Sequence, residues 1–203
     1  MDSSGSMIYL LLVLLGLGGA YFAAAETAYA SMNKIRIRNY ADNGMAKAKK
    51  ALKISNDFDS ALITMLIGTN VTHIAFASIT TMIATRLWGP QSVPAMTVAA
   101  TVFVFLFIEM LPKSYAGENS EKLALAFSGS MSLLMKLLRP VSFFFRSISN
   151  LVSRLFGAEE TPTVTEEELH DIIDTMEEEG GFEGDKSDLV QSALDFGDTT
   201  VQD

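Results

Sequence analysis

The stretch Ala99–Lys113, AATVFVFLFIEMLPK, joins a long apolar run to one acid and a proline. Twenty-two uncharged residues, from Leu87 to Ile108, precede Glu109. A carboxylate at membrane depth is unfavourable unless it meets a cation, water or a hydrogen-bond donor. Pro112 has no N–H, and its ring clashes with the carbonyl of Ile108 in a regular helix. We therefore expect the helix to bend or break beside Glu109 and to free backbone oxygens there.

Free carbonyls and a carboxylate are the oxygen ligands that hard cations bind. The chain has no cysteine, and its only histidines are His73 and His170. A structural zinc site is therefore not expected, and any bound metal should be a hard ion held by oxygen. The stretch predicts a metal-ion site inside a membrane protein.

Composition divides the chain into two parts that suit different surroundings. Of the 203 residues, 49% are hydrophobic, and the mean hydropathy of +0.27 is high for a soluble domain. From Glu159 onward there are 16 acids and one base, Lys186, whereas the preceding residues carry 14 bases and 8 acids. A basic, apolar part suits a membrane with anionic headgroups, and an acidic part suits water or cations. We expect a transmembrane domain over 1–158 and a small cytoplasmic acidic helical bundle over 161–203.

Three uncharged runs predict transmembrane helices at about 7–31, 60–86 and 95–112. A cleaved signal peptide is the alternative for the first run, but no base precedes it and it continues into helix-forming residues. Amphipathic, basic segments predict interfacial helices at about 33–56 and 121–156. A fourth span within the last segment is the alternative, although it would place three arginines in or near lipid. The predicted fold class is an all-α membrane protein with three transmembrane helices.

Basic residues predict the orientation of the chain in the membrane. Segment 33–56 carries seven bases, whereas segment 86–94 carries one. The positive-inside rule then places the N-terminus outside and both the basic loop and the C-terminus in the cytoplasm. We expect a multi-pass protein of the plasma membrane. Because aromatic residues are not interleaved with these bases, nucleic-acid binding is not expected.

Polar residues within the first two spans each allow two interpretations. Asn70 lies near the middle of the second span, two residues after Gly68, which loosens a helix. Asn70 either bonds a neighbouring helix or supplies an oxygen to an ion. Glu26 is either a second acid at membrane depth or a headgroup-level residue that pairs with a base. His73 is interpreted as a packed, neutral histidine.

The acidic segment predicts short helices after a proline-containing linker at 161–164. Thr165 is the expected N-cap, and Glu168 completes a capping box. A second short helix is expected at about 185–196. Such a charge run is usually a solvated face, but its density also suits a weak electrostatic response to Mg²⁺.

Three motifs in this order resemble the CorC/cyclin-M (CNNM) family of magnesium transport proteins. They are AAAETAYASMNKIRI in the first span, LIGTN in the second, and EMLPKSYA at the end of the third. The segment EEELHDIIDTMEEEG resembles the acidic helical bundle of that family, which leads into a paired CBS nucleotide-sensing module. The resemblance covers residues 7–203, so the chain ends where that module would begin. It implies three spans, a belt of juxtamembrane helices, a homodimer, and Mg²⁺ efflux in exchange for Na⁺.

The resemblance also implies an ion site built from all three spans. Its metal-binding residues would be Glu109, Asn70, Gly68, Gly19 and Ala23. Family members often have serines before the first-span acid, so backbone carbonyls at Gly19 and Ala23 would replace hydroxyl ligands here. Hinge or gating roles would belong to Pro112, Glu26 and Lys113.

Two functions follow as expectations, and an enzyme is not among them. The first is a Mg²⁺ transporter in which Na⁺ competes for the same oxygens. The alternative is a membrane regulator that senses Mg²⁺ through the acidic segment and controls another transporter. No Ser/His/Asp pattern, HExxH motif or pair of aspartates suggests catalysis.

Overall fold

The structure is a computed structural model that describes residues 3–156, residue 173 and residues 184–195. The chain divides into two compact units, Met1–Asn150 and Leu151–Asp203. In the second unit, Gly184–Asp195 (α9) is helical, close to the predicted helix at 185–196. Most of the predicted acidic bundle, including the linker and the Thr165 cap, lies outside the described residues.

Every regular element within the described residues is a helix, which confirms the predicted all-α class. The helices up to Phe156 follow one another with short connections, and the last of them extends past the end of the first unit. In chain order they are α1 (Ser3–Ser31), α2 (Lys34–Asp42), α3 (Ala46–Asn56), α4 (Phe58–Trp88), a 3₁₀ turn (Pro90–Ser92), α5 (Val93–Phe103), a π-helical segment (Val104–Met110), α6 (Leu111–Glu118), α7 (Ser120–Leu137) and α8 (Arg139–Phe156).

Three helical stretches in the described residues are long and apolar enough to cross a membrane. They are Ser6–Ser31, Phe58–Trp88 and Pro90–Glu118, which confirms the three predicted spans. Large apolar side chains on their outer faces, such as Leu14, Ile74 and Phe107, are more than half exposed, as lipid contact requires.

The third span contains a widened turn where the sequence predicts a bend or a break. The segment Val104–Met110 is π-helical, and the N–H of Leu111 donates to the carbonyl of Leu106, five residues back. Because Pro112 has no N–H, this part of the span has one amide donor fewer than it has carbonyls. The helix does not break at Pro112 but continues to Glu118.

Glycines bring α1 and α4 into close contact. A Cβ added to Gly68 would lie 2.4 Å from ring atoms of Phe22, so the ring rests directly on the Gly68 backbone. A Cβ on Gly18 would lie 3.2 Å from the methyl group of Thr72. Small residues of this kind let transmembrane helices approach closely. The contacts hold this part of the second span close against the first.

The main apolar core lies where the later half of α1 meets α2, α3, α4 and α7. The Tyr29 hydroxyl donates to the Ala124 carbonyl at 2.8 Å, and the hydroxyls of Tyr21 and Ser130 are 2.7 Å apart. These pairs run in opposite order along α1 and α7, so the two helices are antiparallel. α7 therefore packs along the first span.

The structure divides each predicted interfacial segment into two helices. Segment 33–56 becomes α2 and α3, and segment 121–156 becomes α7 and α8, with the break at Leu138. The side chain of Asn33 accepts a hydrogen bond from the N–H of Arg36 and caps α2. Arg36 also pairs with Glu121 of α7 at 2.9 Å, which ties the basic loop to the later helices.

Candidate cation site

Three charged residues from two spans meet near the end of the third span. The ammonium nitrogen of Lys113 lies 3.3 Å from Oε1 of Glu109 and 3.5 Å from Oε2 of Glu26. The side chains of Glu26, Glu109 and Lys113 are 24%, 35% and 33% exposed, respectively. We call these three residues the carboxylate–lysine cluster. It holds two acids and one base, so its formal charge is negative and it can attract a further cation.

Local geometry brings the members of the cluster together. Glu109 and Lys113 are four residues apart, a spacing that places both side chains on one face of a helix. Glu26 comes from α1, which approaches the third span closely because a Cβ on Gly19 would lie only 2.6 Å from Cγ2 of Ile108. The glycine therefore allows the close approach of α1 to the third span beside Glu109. Glu26 pairs with a base, Lys113, which fits both interpretations of this residue, so its depth in the membrane stays a prediction.

Gly19 and Ala23 lie on an unbroken helix. α1 continues through both residues, so their carbonyls accept the regular amide bonds of the helix. Ala23 is completely buried, and Gly19 contacts both Ile108 and the ring of His73. Both positions therefore allow close packing, and metal ligation by their carbonyls stays a prediction.

Gly68 and Asn70 lie on different faces of α4. Gly68 is buried beneath Phe22, and its carbonyl accepts a 2.8 Å hydrogen bond from the Thr72 hydroxyl. Asn70 is exposed, and among the described residues no hydrogen bond joins it to Glu109. A ligand role for either residue stays a prediction.

Two polar atoms on α4 have no partner in the interior, and they were not predicted as site atoms. Oγ1 of Thr69 and Nε2 of His73 are buried without a hydrogen bond to any described residue. The two residues are four apart and share a helix face. The ring of His73 packs on Gly19, beside Ile108, the neighbour of Glu109. The sequence does contain a signal for this pair. Thr69 of LIGTN and His73 of the following VTH lie one helical turn apart, so their hydroxyl and imidazole form a polar patch in an apolar span.

The described residues offer a metal ion few charged ligands in one place. Within the described residues, no group of three or more histidine, aspartate or glutamate side chains could hold a metal ion. Within the carboxylate–lysine cluster, the charged oxygens come from Glu109 and Glu26.

Known proteins resemble this chain over most of its length. The inner membrane protein YfjD of Escherichia coli, a UPF0053 protein, is 29% identical over 188 residues, covering 91% of this chain and 44% of the relative. A chloroplastic DUF21 domain-containing protein of Arabidopsis thaliana is 31% identical over 200 residues, covering 96% and 30%, respectively. The polyamine export protein of Haemophilus influenzae is 24% identical over 208 residues, covering 95% and 48%. The chain thus spans less than half the length of these relatives.

A family profile gives the assignment. The profile described as the cyclin M transmembrane N-terminal domain matches residues 9–186. That match includes the first span from residue 9 onward, the other two spans, and the carboxylate–lysine cluster. The chain therefore belongs to the cyclin M transmembrane N-terminal domain family.

Proposed function

We propose that this chain is the membrane domain of a cation transporter whose cargo is Mg²⁺, moved outward in exchange for Na⁺. The observation that carries the proposal is the carboxylate–lysine cluster. Acids at membrane depth are expensive, and they mark cation pathways in membrane proteins. Here they come from two separate spans, so a relative movement of the spans changes the cation affinity of the cluster.

Lys113 acts as a tethered cation in the proposed cycle. Its ammonium lies between Glu26 and Glu109 and offsets their charge when no cargo is bound. An entering Mg²⁺ has twice the charge of the ammonium and displaces it from Glu109, while Glu26 keeps the ammonium nearby. The return of the ammonium to Glu109 then favours release of the cargo.

The ligands of the cargo ion come from the third and second spans. Glu109 provides a charged oxygen, and Thr69 provides a hydroxyl that has no partner among the described residues. Asn70, the next residue, stays in the proposed set through its amide oxygen. The π-helical segment has a carbonyl without an amide donor and can supply a further oxygen. Water completes the coordination of Mg²⁺.

The third span is the proposed moving element. Phe22 packs on Gly68 between the first and second spans, and the third span packs on α1 through Ile108, through Ala116 against Ala24 and Ala28, and through the ion pairs. π-Helical turns are frequent at functional sites. Beside the π-helical segment Val104–Met110, Pro112 also removes one backbone hydrogen bond. The Pro112 region is therefore the proposed hinge, and Glu26 and Lys113 are the proposed gating residues.

The proposed partners are a lipid bilayer, a second copy of the chain, and a CBS-pair module in the longer protein. The exposed apolar faces of the spans provide surface for both lipid and a second copy. The acidic segment after Glu159 supports the alternative of a Mg²⁺-sensing regulator through its charge.

A polyamine is a second candidate cargo. The relative from Haemophilus influenzae is named a polyamine export protein. A polyamine carries ammonium groups like that of Lys113, and two carboxylates on different spans could bind two of them. Competition between spermidine and Mg²⁺ in the transport assay separates these cargoes.

The test is Mg²⁺ flux in proteoliposomes that contain the chain and a Mg²⁺-sensitive dye. Glu109→Gln keeps the shape of the side chain and removes its charge, so we expect transport to fall by about tenfold or more. Glu121→Gln is the matched control, because it breaks the pair with Arg36 outside the proposed site. Equal flux in both variants would contradict the role of Glu109. Mg²⁺ binding without flux in the parent would favour the regulator.

A further inference from the structure

A cleft of about 620 Å³ opens between the α3–α4 junction and the α7–α8 junction. It lies outside the carboxylate–lysine cluster and shares no residue with it. Ser60, at the start of the second span, lines the cleft. The cleft therefore lies at the membrane–water boundary on the side of the basic helices α2 and α3.

The charge of the cleft suits an anion. Lys53, Lys136 and Arg139 line it, and none of them forms an ion pair with an acid among the described residues. Asp57 is the one acid in the lining, and it has an interaction partner of its own. The three bases come from α3, α7 and α8, so the fold brings them to one place from separate parts of the sequence.

A buried hydroxyl gives the cleft a specific donor. Ser142 lines it, is 3% exposed, and has an Oγ without a hydrogen-bond partner among the described residues. A buried hydroxyl without a partner is unfavourable, and an acceptor oxygen in the cleft would satisfy it. Arg139, the first residue of α8, lies in the same lining as Ser142. These are the elements of a phosphate-binding site.

The surroundings of the cleft favour a lipid as the source of the phosphate. Phe143 lines the cleft and is 73% exposed, and its neighbours Phe144 and Phe145 are exposed as well. An exposed aromatic run at the membrane boundary offers contact to acyl chains, which a free phosphate does not need. A basic pocket beside a span with apolar surface at its rim is typical of anionic-lipid recognition.

We propose that this cleft binds the phosphate headgroup of an anionic phospholipid in the leaflet that faces the basic helices. The bases hold the charge of the phosphate, Ser142 donates to one of its oxygens, and the aromatic run contacts the acyl chains. The inference is independent of the proposed cargo, because none of these residues belongs to the cation site.

The test titrates the purified chain in a neutral detergent with short-chain phosphatidylglycerol and measures binding and thermal unfolding. We expect saturable binding and a rise in the unfolding midpoint, while short-chain phosphatidylcholine gives neither. Lys136→Gln with Arg139→Gln should weaken the apparent affinity about tenfold or more. The control Lys47→Gln with Lys49→Gln removes the same charge from exposed positions outside the cleft. It should change the apparent affinity for phosphatidylglycerol less than about twofold.

Ser142→Ala separates the site from general surface charge. It removes an unpartnered buried hydroxyl, so we expect a higher midpoint without lipid and a smaller rise with phosphatidylglycerol. Equal losses in the cleft variant and its control would overturn the proposal, as would an unchanged lipid response in Ser142→Ala. Inorganic phosphate is titrated in the same assay. An equal rise in the unfolding midpoint with phosphate alone would overturn the assignment to a lipid.

Discussion

Replacing Lys113 with methionine should tighten Mg²⁺ binding, because it removes the tethered competitor from Glu109. Unit charges 3.3 Å apart, the distance from Lys113 to Glu109, interact by about 1.3 kcal/mol in bulk water and about 5 kcal/mol at an effective dielectric constant of about 20. The side chains of this pair are 33% and 35% exposed, so the lower part of that range applies. A gain of ~1.4 kcal/mol corresponds to about tenfold tighter binding.

The assay is Mg²⁺-dependent thermal stabilisation of the purified chain, since a ligand that prefers the folded state raises apparent stability. For Lys113→Met, the stabilisation curve should move to about tenfold lower Mg²⁺ concentration. Lys50→Met is the control, because Lys50 is exposed on α3 and pairs with no acid among the described residues. Unchanged or weaker Mg²⁺ binding in a folded Lys113→Met protein would refute the competition between the ammonium and the cargo.

Three further substitutions test the packing around the site. Gly68→Ala should lower the free energy of unfolding by about 1–3 kcal/mol, because the new methyl group meets the ring of Phe22 at 2.4 Å. Gly129→Ala is its control and should be neutral or stabilising, because no atom lies within 4 Å of the added carbon. An equal loss of unfolding free energy in Gly68→Ala and Gly129→Ala would contradict the packing argument. Tyr29→Phe removes the bond to the Ala124 carbonyl and should cost about 1 kcal/mol in detergent unfolding; an unchanged midpoint would show that the bond contributes nothing. Pro112→Ala restores an amide donor and should let the π-helical segment revert to a regular helix, which rotates Glu109 relative to α1 and α4 and weakens Mg²⁺-dependent stabilisation; full retention would show that the π turn does not position the acid.

The sequence predicts the spans well because their signal is local. Length and apolarity alone locate the three helices, and the cluster of bases separates the first two. The end of the third span is less predictable. The steric clash of Pro112 predicts a bend or a break, whereas the π-helical segment absorbs the clash by widening the turn, and the helix continues to Glu118. An apolar pattern gives no indication of which response a helix adopts.

Only part of the candidate site can be predicted from the sequence. Glu109 and Lys113 are four residues apart, so their pairing can be predicted from helical spacing. The contact between Lys113 and Glu26 depends on the register of α1 against the third span, which is set by the fit of Ile108 on Gly19. Such a register is a tertiary property. The burial of the Thr69 hydroxyl without a partner among the described residues is likewise a product of tertiary packing.

The antiparallel contact of α7 with α1 has a consequence for biosynthesis. Tyr29 and its acceptor Ala124 are 95 residues apart in the chain. At ordinary synthesis rates of about 5–20 residues per second, α7 is synthesised about 5–20 s after the first span. Until then the surface of the first span that α7 contacts is uncovered. During that interval the Tyr29 hydroxyl must be satisfied by lipid headgroups, water or the insertion machinery. Mutations in α7 that weaken this contact should prolong the exposure of the first span after α7 has been synthesised and so favour quality-control proteolysis.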